Sequence, residues 1–118
     1  MSELLAVLKA YRYSVGSEDS FQRSLEQVLV RHGISFLREH ELGPDYGRID
    51  FYLPERKLGI ELKVKGSPSQ VLRQLHRYAQ CPEIAALILL TARARFRHAP
   101  ANINAKPLFA VPVWEGQL

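Results

Sequence analysis

Apolar residues recur along this chain at two periods, and the switches between them mark out the elements. Leu4, Leu5, Leu8 and Tyr11 follow helical spacing until Val15-Gly16 interrupts it. Ser17 then stands as an N-cap with Glu18 and Asp19 in the first turn. The stripe Phe21, Leu25, Val28 and Leu29 carries a second helix to about Arg31, and Gly33 ends it. Residues 34–42 alternate as a strand, and Gly43-Pro44-Asp45 is a turn. Two more strands, 48–53 and 58–64, flank Pro54-Glu55-Arg56-Lys57. Ser67-Pro68 is a cap followed by proline at the first helical position, opening a helix with Val71, Leu72, Leu75 and Ala79 that stops before Pro82. Residues 85–91 read as a buried strand and 108–114 as another. The order α-α-β-β-β-α-β-β predicts an α/β fold with a mixed central sheet flanked by helices.

The length of 118 residues suits one domain spanning 1–118. Its longest apolar run, 85–90, is strand-sized, so no membrane span is expected. The opening Met1-Ser-Glu-Leu-Leu has neither the basic start nor the cleavage site of a signal peptide. A single cysteine, Cys81, cannot form an internal disulfide, which makes a reducing cytoplasm, of a bacterium or a phage-infected host, the simplest compartment. Lys and Arg outnumber Asp and Glu by 16 to 12, a balance that suits a polyanionic partner without requiring one. The four histidines are scattered with no zinc spacing to Cys81, and the chain has no glycine-rich phosphate loop and no Gly-x-Ser-x-Gly elbow.

The chemistry concentrates in the hairpin 48–64. Strict alternation puts Ile49, Phe51, Leu53, Leu58, Ile60, Leu62 and Val64 on one face, and Arg48, Asp50, Tyr52, Gly59, Glu61, Lys63 and Lys65 on the other. If the four-residue turn pairs Leu53 with Leu58, Asp50 falls opposite Glu61 and Arg48 opposite Lys63. Like charges in directly opposed positions are destabilising. A divalent cation between the two carboxylates would remove that conflict, because Mg²⁺ takes carboxylate oxygens, water and phosphate. Lys63, on the same face, would orient or deprotonate an attacking water and offset phosphate charge. The competing reading is a solvated face of an ordinary amphipathic hairpin.

Gly47-Arg-Ile-Asp50 followed by Ile60-Glu-Leu-Lys63 resembles the core of the PD-(D/E)xK nuclease superfamily. Gln74 and Tyr78 in Gln-Leu-x-x-Tyr resemble the helix that follows that core. Glu18-x-x-Phe21-Gln22 with Leu25, Leu29 and Gly33 is similar to the first helix of virus-type replication-repair nucleases. The small basic chain also resembles phage and archaeal Holliday-junction resolvases. The Pro-Asp of the superfamily's name is not intact, since Ile49 precedes Asp50. The resemblance implies a restriction-endonuclease-like αβββαβ core, Mg²⁺ with Mn²⁺ able to substitute, and phosphodiester hydrolysis.

It also implies a further carboxylate from the first core helix. Glu18 lies at the margin of the apolar arc, Glu26 further out and Asp19 further still, so Glu18 is the candidate; a first-turn acid complementing the helix dipole is the alternative. Gln74 would order water or phosphate near Lys63, whereas Tyr78 reads better as a polar edge of a helix–sheet contact. The expected catalytic set is therefore Glu18, Asp50, Glu61, Lys63 and Gln74, with metal held by Asp50, Glu61, the Leu62 carbonyl and Glu18. Arg48, Lys65, Arg73, Arg77, Arg93, Arg95 and Arg97 are the candidate DNA contacts, each also readable as a solvated surface charge.

Together these predict an Mg²⁺-dependent endodeoxyribonuclease, with branched DNA and especially four-way junctions as substrate and no small-molecule substrate. Two symmetric incisions would need a C2 homodimer. Candidate interfaces are the Leu4, Leu5, Leu8 helix and the Phe109, Val111, Trp114 strand, both equally readable as monomer core. The alternatives are another nuclease of the same fold (flap, defence or RNA-directed) and a catalytically silent DNA-binding module.

Overall fold

The computed structural model describes residues 1–92 and 99–115. In chain order the elements are α1 (Ser2–Lys9), β1 (Arg12–Tyr13), α2 (Glu18–Arg31), β2 (Leu37–Glu41), β3 (Arg48–Leu53), β4 (Leu58–Lys63), α3 (Pro68–Ala79), β5 (Ala86–Thr91), β6 (Asn102–Ile103), β7 (Lys106–Pro112) and β8 (Trp114–Glu115). Both long helices start where their caps predict. The Ser17 side chain accepts from Ser20 N–H, and the Ser20 hydroxyl accepts from Ser17 N–H in return. Ser67 caps Gln70 N–H, with Pro68 first in the helix.

A mixed six-stranded sheet in the order β2-β3-β4-β5-β7-β6 forms the centre. The β2-β3-β4 meander is antiparallel; β4, β5 and β7 run parallel. The expected strand 108–114 is β7, while β8 leaves the sheet and pairs in parallel with β1. The strand expected at 34–42 is shorter, because Ile34 N–H still bonds Leu29 carbonyl at the helix exit and Phe36 packs on Phe51. Two-residue elements such as β1, β6 and β8 carry too few positions to show a period.

The sheet is covered on both sides. Leu4, Leu8, Phe21, Leu25 and Leu29 pack on Phe51, Leu53, Ile60, Leu62, Leu90 and Val111; Val71, Leu75, Tyr78 and Ala79 pack on Ile49, Tyr52, Leu87 and Leu89. Leu4, Leu8 and Val111 are thus buried in the monomer's own core and Leu5 and Phe109 pack against it, which removes those side chains as ready-made dimer surface. The strict alternation expected for 48–53 fails at one point: Ile49 lies on the α3 side, with Tyr52, and not with Phe51. Glu39 explains the break. It stands between the pairs Arg38–Phe51 and His40–Ile49 with φ +47°, a left-handed kink that exchanges faces along β2 and β3. Arg38 accordingly lies over Phe51, whereas His40 stacks on Tyr52.

Gly59 is needed for that packing. A Cβ there would land on Ile49 Cδ1, with Leu87 Cδ2 at 3.0 Å and Ile84 Cδ1 at 3.1 Å, all buried. Gly59→Ala is expected to destabilise the protein by about 1–3 kcal/mol in urea unfolding. An unchanged midpoint would mean that Ile49 has somewhere else to go. Among the described residues, no helix is long and apolar enough to cross a membrane.

Candidate active site

The tetrapeptide turn 54–57 sets the hairpin register. Leu53 pairs with Leu58, Tyr52 with Gly59 and Phe51 with Ile60, the pairing the turn length predicts. One step further, side chains enter the ladder. Leu62 N–H donates to Asp50 Oδ2 at 2.9 Å, and Asp50 N–H donates to Glu61 Oε1 at 3.3 Å. Asp50 sits where the faces exchange, so its carboxylate reaches α2, where Gln22 Nε2 donates to Oδ1 at 3.3 Å.

Glu61 projects to the α3 side and is only 2% exposed, which overturns the solvated-face reading of this strand. Lys63 Nζ lies 3.5 Å from Glu61 Oε2. Burial, together with the nearby Asp50 charge, pushes the Glu61 carboxyl up to about 8 despite Lys63. Asp50 is also raised, by burial first, with Leu62 N–H and Lys63 pulling the other way and Glu18 adding to the rise. Tyr78, on α3, is buried and donates its hydroxyl to Arg48 carbonyl at 2.8 Å. Burial and the Glu61 and Asp50 charges raise its phenol. It braces the start of β3 from behind, as its sequence position suggested.

Glu18, Gln22, Glu39, Arg48, Asp50, Glu61, Lys63 and Gln74 line one open cleft of about 290 Å³. Glu18 turns towards the sheet and accepts from Val64 N–H at 3.2 Å, tying the start of α2 to the end of β4. Asp19 instead pairs with Arg23 on the exposed helix face. Four carboxylates against Arg48 and Lys63 leave the lining two negative charges in excess when all are ionised. Among the described residues no group of three or more His, Cys, Asp or Glu side chains forms a ready-made metal cage. Two carboxylates side by side nevertheless fit Mg²⁺, which commonly takes one or two and completes its shell with water and phosphate.

Of the candidate DNA contacts, Arg48 lines the cleft; Lys65, Arg73 and Arg77 are exposed beyond its lining. Arg93, Arg95 and Arg97 lie outside the described residues. Sequence reasoning missed Gln22 and Glu39 as members of the cleft, and Arg38 as the residue behind it that donates to Gln22 Oε1. Gln22 left a trace, being one helical turn from Glu18 and beside the apolar stripe; Arg38 and Glu39 left none. Comparison of the chain with protein-family models, curated proteins and solved structures finds no match.

Proposed function

We propose that this protein is a metal-dependent nuclease of the restriction-endonuclease-like type, cutting DNA phosphodiesters and preferring branched substrates such as four-way junctions. The burial of Glu61 beside Asp50, at the floor of a cleft carrying two cationic side chains, is the observation that carries this reading. A buried carboxylate beside a second, half-buried one is costly to a fold that has no use for it. The succession α2-β2-β3-β4-α3-β5 agrees with the αβββαβ core that the motif resemblance implies.

Asp50, Glu61, the Leu62 carbonyl and Glu18 would hold Mg²⁺, or Mn²⁺ in its place. When bound, the ion supplies Lewis-acid stabilisation of charge at the phosphoryl group. Arg48 and Lys63 offset the charge of an incoming phosphate, and Lys63, anchored by Glu61, orients the attacking water. Gln74, half-buried on the α3 wall, offers an amide to water or phosphate. Symmetric cuts in a junction call for two such centres, hence a C2 homodimer built on surface other than the buried leucines of α1.

The test is incubation with labelled junction, flap, duplex and single-stranded DNA, with Mg²⁺, Mn²⁺ or EDTA. Incision that needs metal and favours the junction is expected; no incision of any substrate with either metal sinks the reading. Within it, Glu18→Gln should slow cleavage about 10-fold or more, and Glu26→Gln less than about 3-fold. The reverse order would remove Glu18 from the site.

A further inference from the structure

Gln22 Oε1 accepts from Arg38 Nη2 at 2.7 Å, and its Nε2 donates to Asp50 Oδ1 at 3.3 Å. Arginine carries donors only, so the acceptor end of the amide must face Arg38 and the donor end must face Asp50. Arg38 is itself held, stacked over the Phe51 ring at 5.7 Å and bonded through Nη1 to Glu26 Oε1 at 3.3 Å. The kink at Glu39 belongs to the same arrangement: it leaves Arg38 on the α2 side of the sheet while the chain beyond turns to the other.

Resting on the nuclease reading, we infer that Arg38 is a positioning residue that locks the Gln22 amide as a donor to Asp50, so that Gln22 orients a metal-binding carboxylate and is not itself a ligand. A cation would need the amide oxygen, and that uncharged oxygen lies 2.7 Å from a guanidinium whose positive charge repels a cation placed on the same atom. Oδ2 is fixed by Leu62 N–H and Oδ1 by Gln22, so the Asp50 carboxylate plane is held from both ends. Each oxygen keeps a lone pair for a hard cation. Partners one step behind metal ligands typically change metal affinity by 10- to 100-fold.

The opposite role for Gln22 predicts the opposite sign for Arg38. If Gln22 were a ligand, removing Arg38 would free its oxygen and leave metal binding unchanged or stronger. If Arg38 sets the amide, removing it weakens binding as much as removing Gln22 does. Mn²⁺ binding to the DNA-free protein, followed by the paramagnetic signal of free Mn²⁺, separates the two. Arg38→Ala and Gln22→Ala should each weaken binding by on the order of 10-fold, and the double variant no further. Arg38→Lys should restore part of the loss. Additive losses, or unchanged or tighter binding in Arg38→Ala, overturn the inference.

A second readout needs no metal. In the metal-free wild type, the Gln22 side-chain NH₂ should show proton shifts displaced from those of a solvent-exposed glutamine and slowed exchange with solvent in ¹⁵N-resolved NMR; in Arg38→Ala the shifts should move towards the exposed values and the exchange should quicken. Signals identical in both proteins overturn the inference. A wild type that binds no Mn²⁺ but shows the NMR change refutes the nuclease reading while leaving the Arg38–Gln22 lock in place.

Discussion

Asp50→Asn should lower metal-dependent cleavage by about 10³-fold or more while the protein stays folded and still binds DNA. The physical reason lies in the two ends of the carboxylate. Oδ2 takes Leu62 N–H and Oδ1 takes the Gln22 amide, so both neighbours are donors. Asparagine keeps one acceptor and presents an NH₂ group to the other donor, and Gln22 cannot turn over in response because Arg38 occupies its oxygen. The variant therefore loses a negative charge at the metal and the fixed plane of its remaining oxygen together. Stability should change by less than about 1–2 kcal/mol, since the mismatched hydrogen bond is offset by removing a partly buried charge that also faces Glu18. Single-turnover cleavage with Mg²⁺, alongside gel shifts with Ca²⁺, measures rate and binding separately. Cleavage at the wild-type rate would mean that Asp50 serves the fold and not the chemistry.

Glu61→Gln is expected to stabilise the metal-free fold at neutral and alkaline pH. The Glu61 carboxyl is pushed from an ordinary 4.5 up to about 8 by burial and by Asp50. A carboxyl raised on folding helps the fold fully below its unfolded value, and that help is lost as pH rises through the folded value. Metal-free wild type should accordingly weaken between about pH 5 and pH 8, with Asp50 acting in the same sense. Glutamine removes the charge, so its slope over that window should be shallower, and at pH 8–9 it should exceed wild type by on the order of 1–3 kcal/mol. Lys63 loses a partner in the variant but reaches solvent at the cleft, which limits the penalty. Urea unfolding at pH 5, 7 and 9 in EDTA reads both slopes. A variant less stable than wild type throughout would make Glu61–Lys63 a structural ion pair. Adding Mg²⁺ should raise the midpoint of wild type and leave that of Glu61→Gln nearly unmoved.

Much of this molecule is written locally. The Ser17 and Ser67 caps, the apolar stripes behind them and the four-residue turn at 54–57 each act over a few residues, and each appears in the structure where its spacing places it. The same locality let the sequence alone bring Asp50, Glu61 and Lys63 to one end of a hairpin and aim Glu18 at the sheet. What the tertiary structure decided depends on partners far apart in the chain. Gln22 meets Asp50 across 28 residues, and Arg38 meets Gln22 across 16. No period in a sequence encodes such a meeting. The face exchange at Glu39 was equally invisible, because alternation assumes an extended backbone and one residue in the left-handed region shifts Ile49 to the other layer. Burial of Glu61 was decided last and matters most. A charged residue in a strand reads as solvent-facing until a second layer covers it; here α3, packed by Leu75 and Tyr78 onto the far side of the sheet, turns an exposed carboxylate into a buried one.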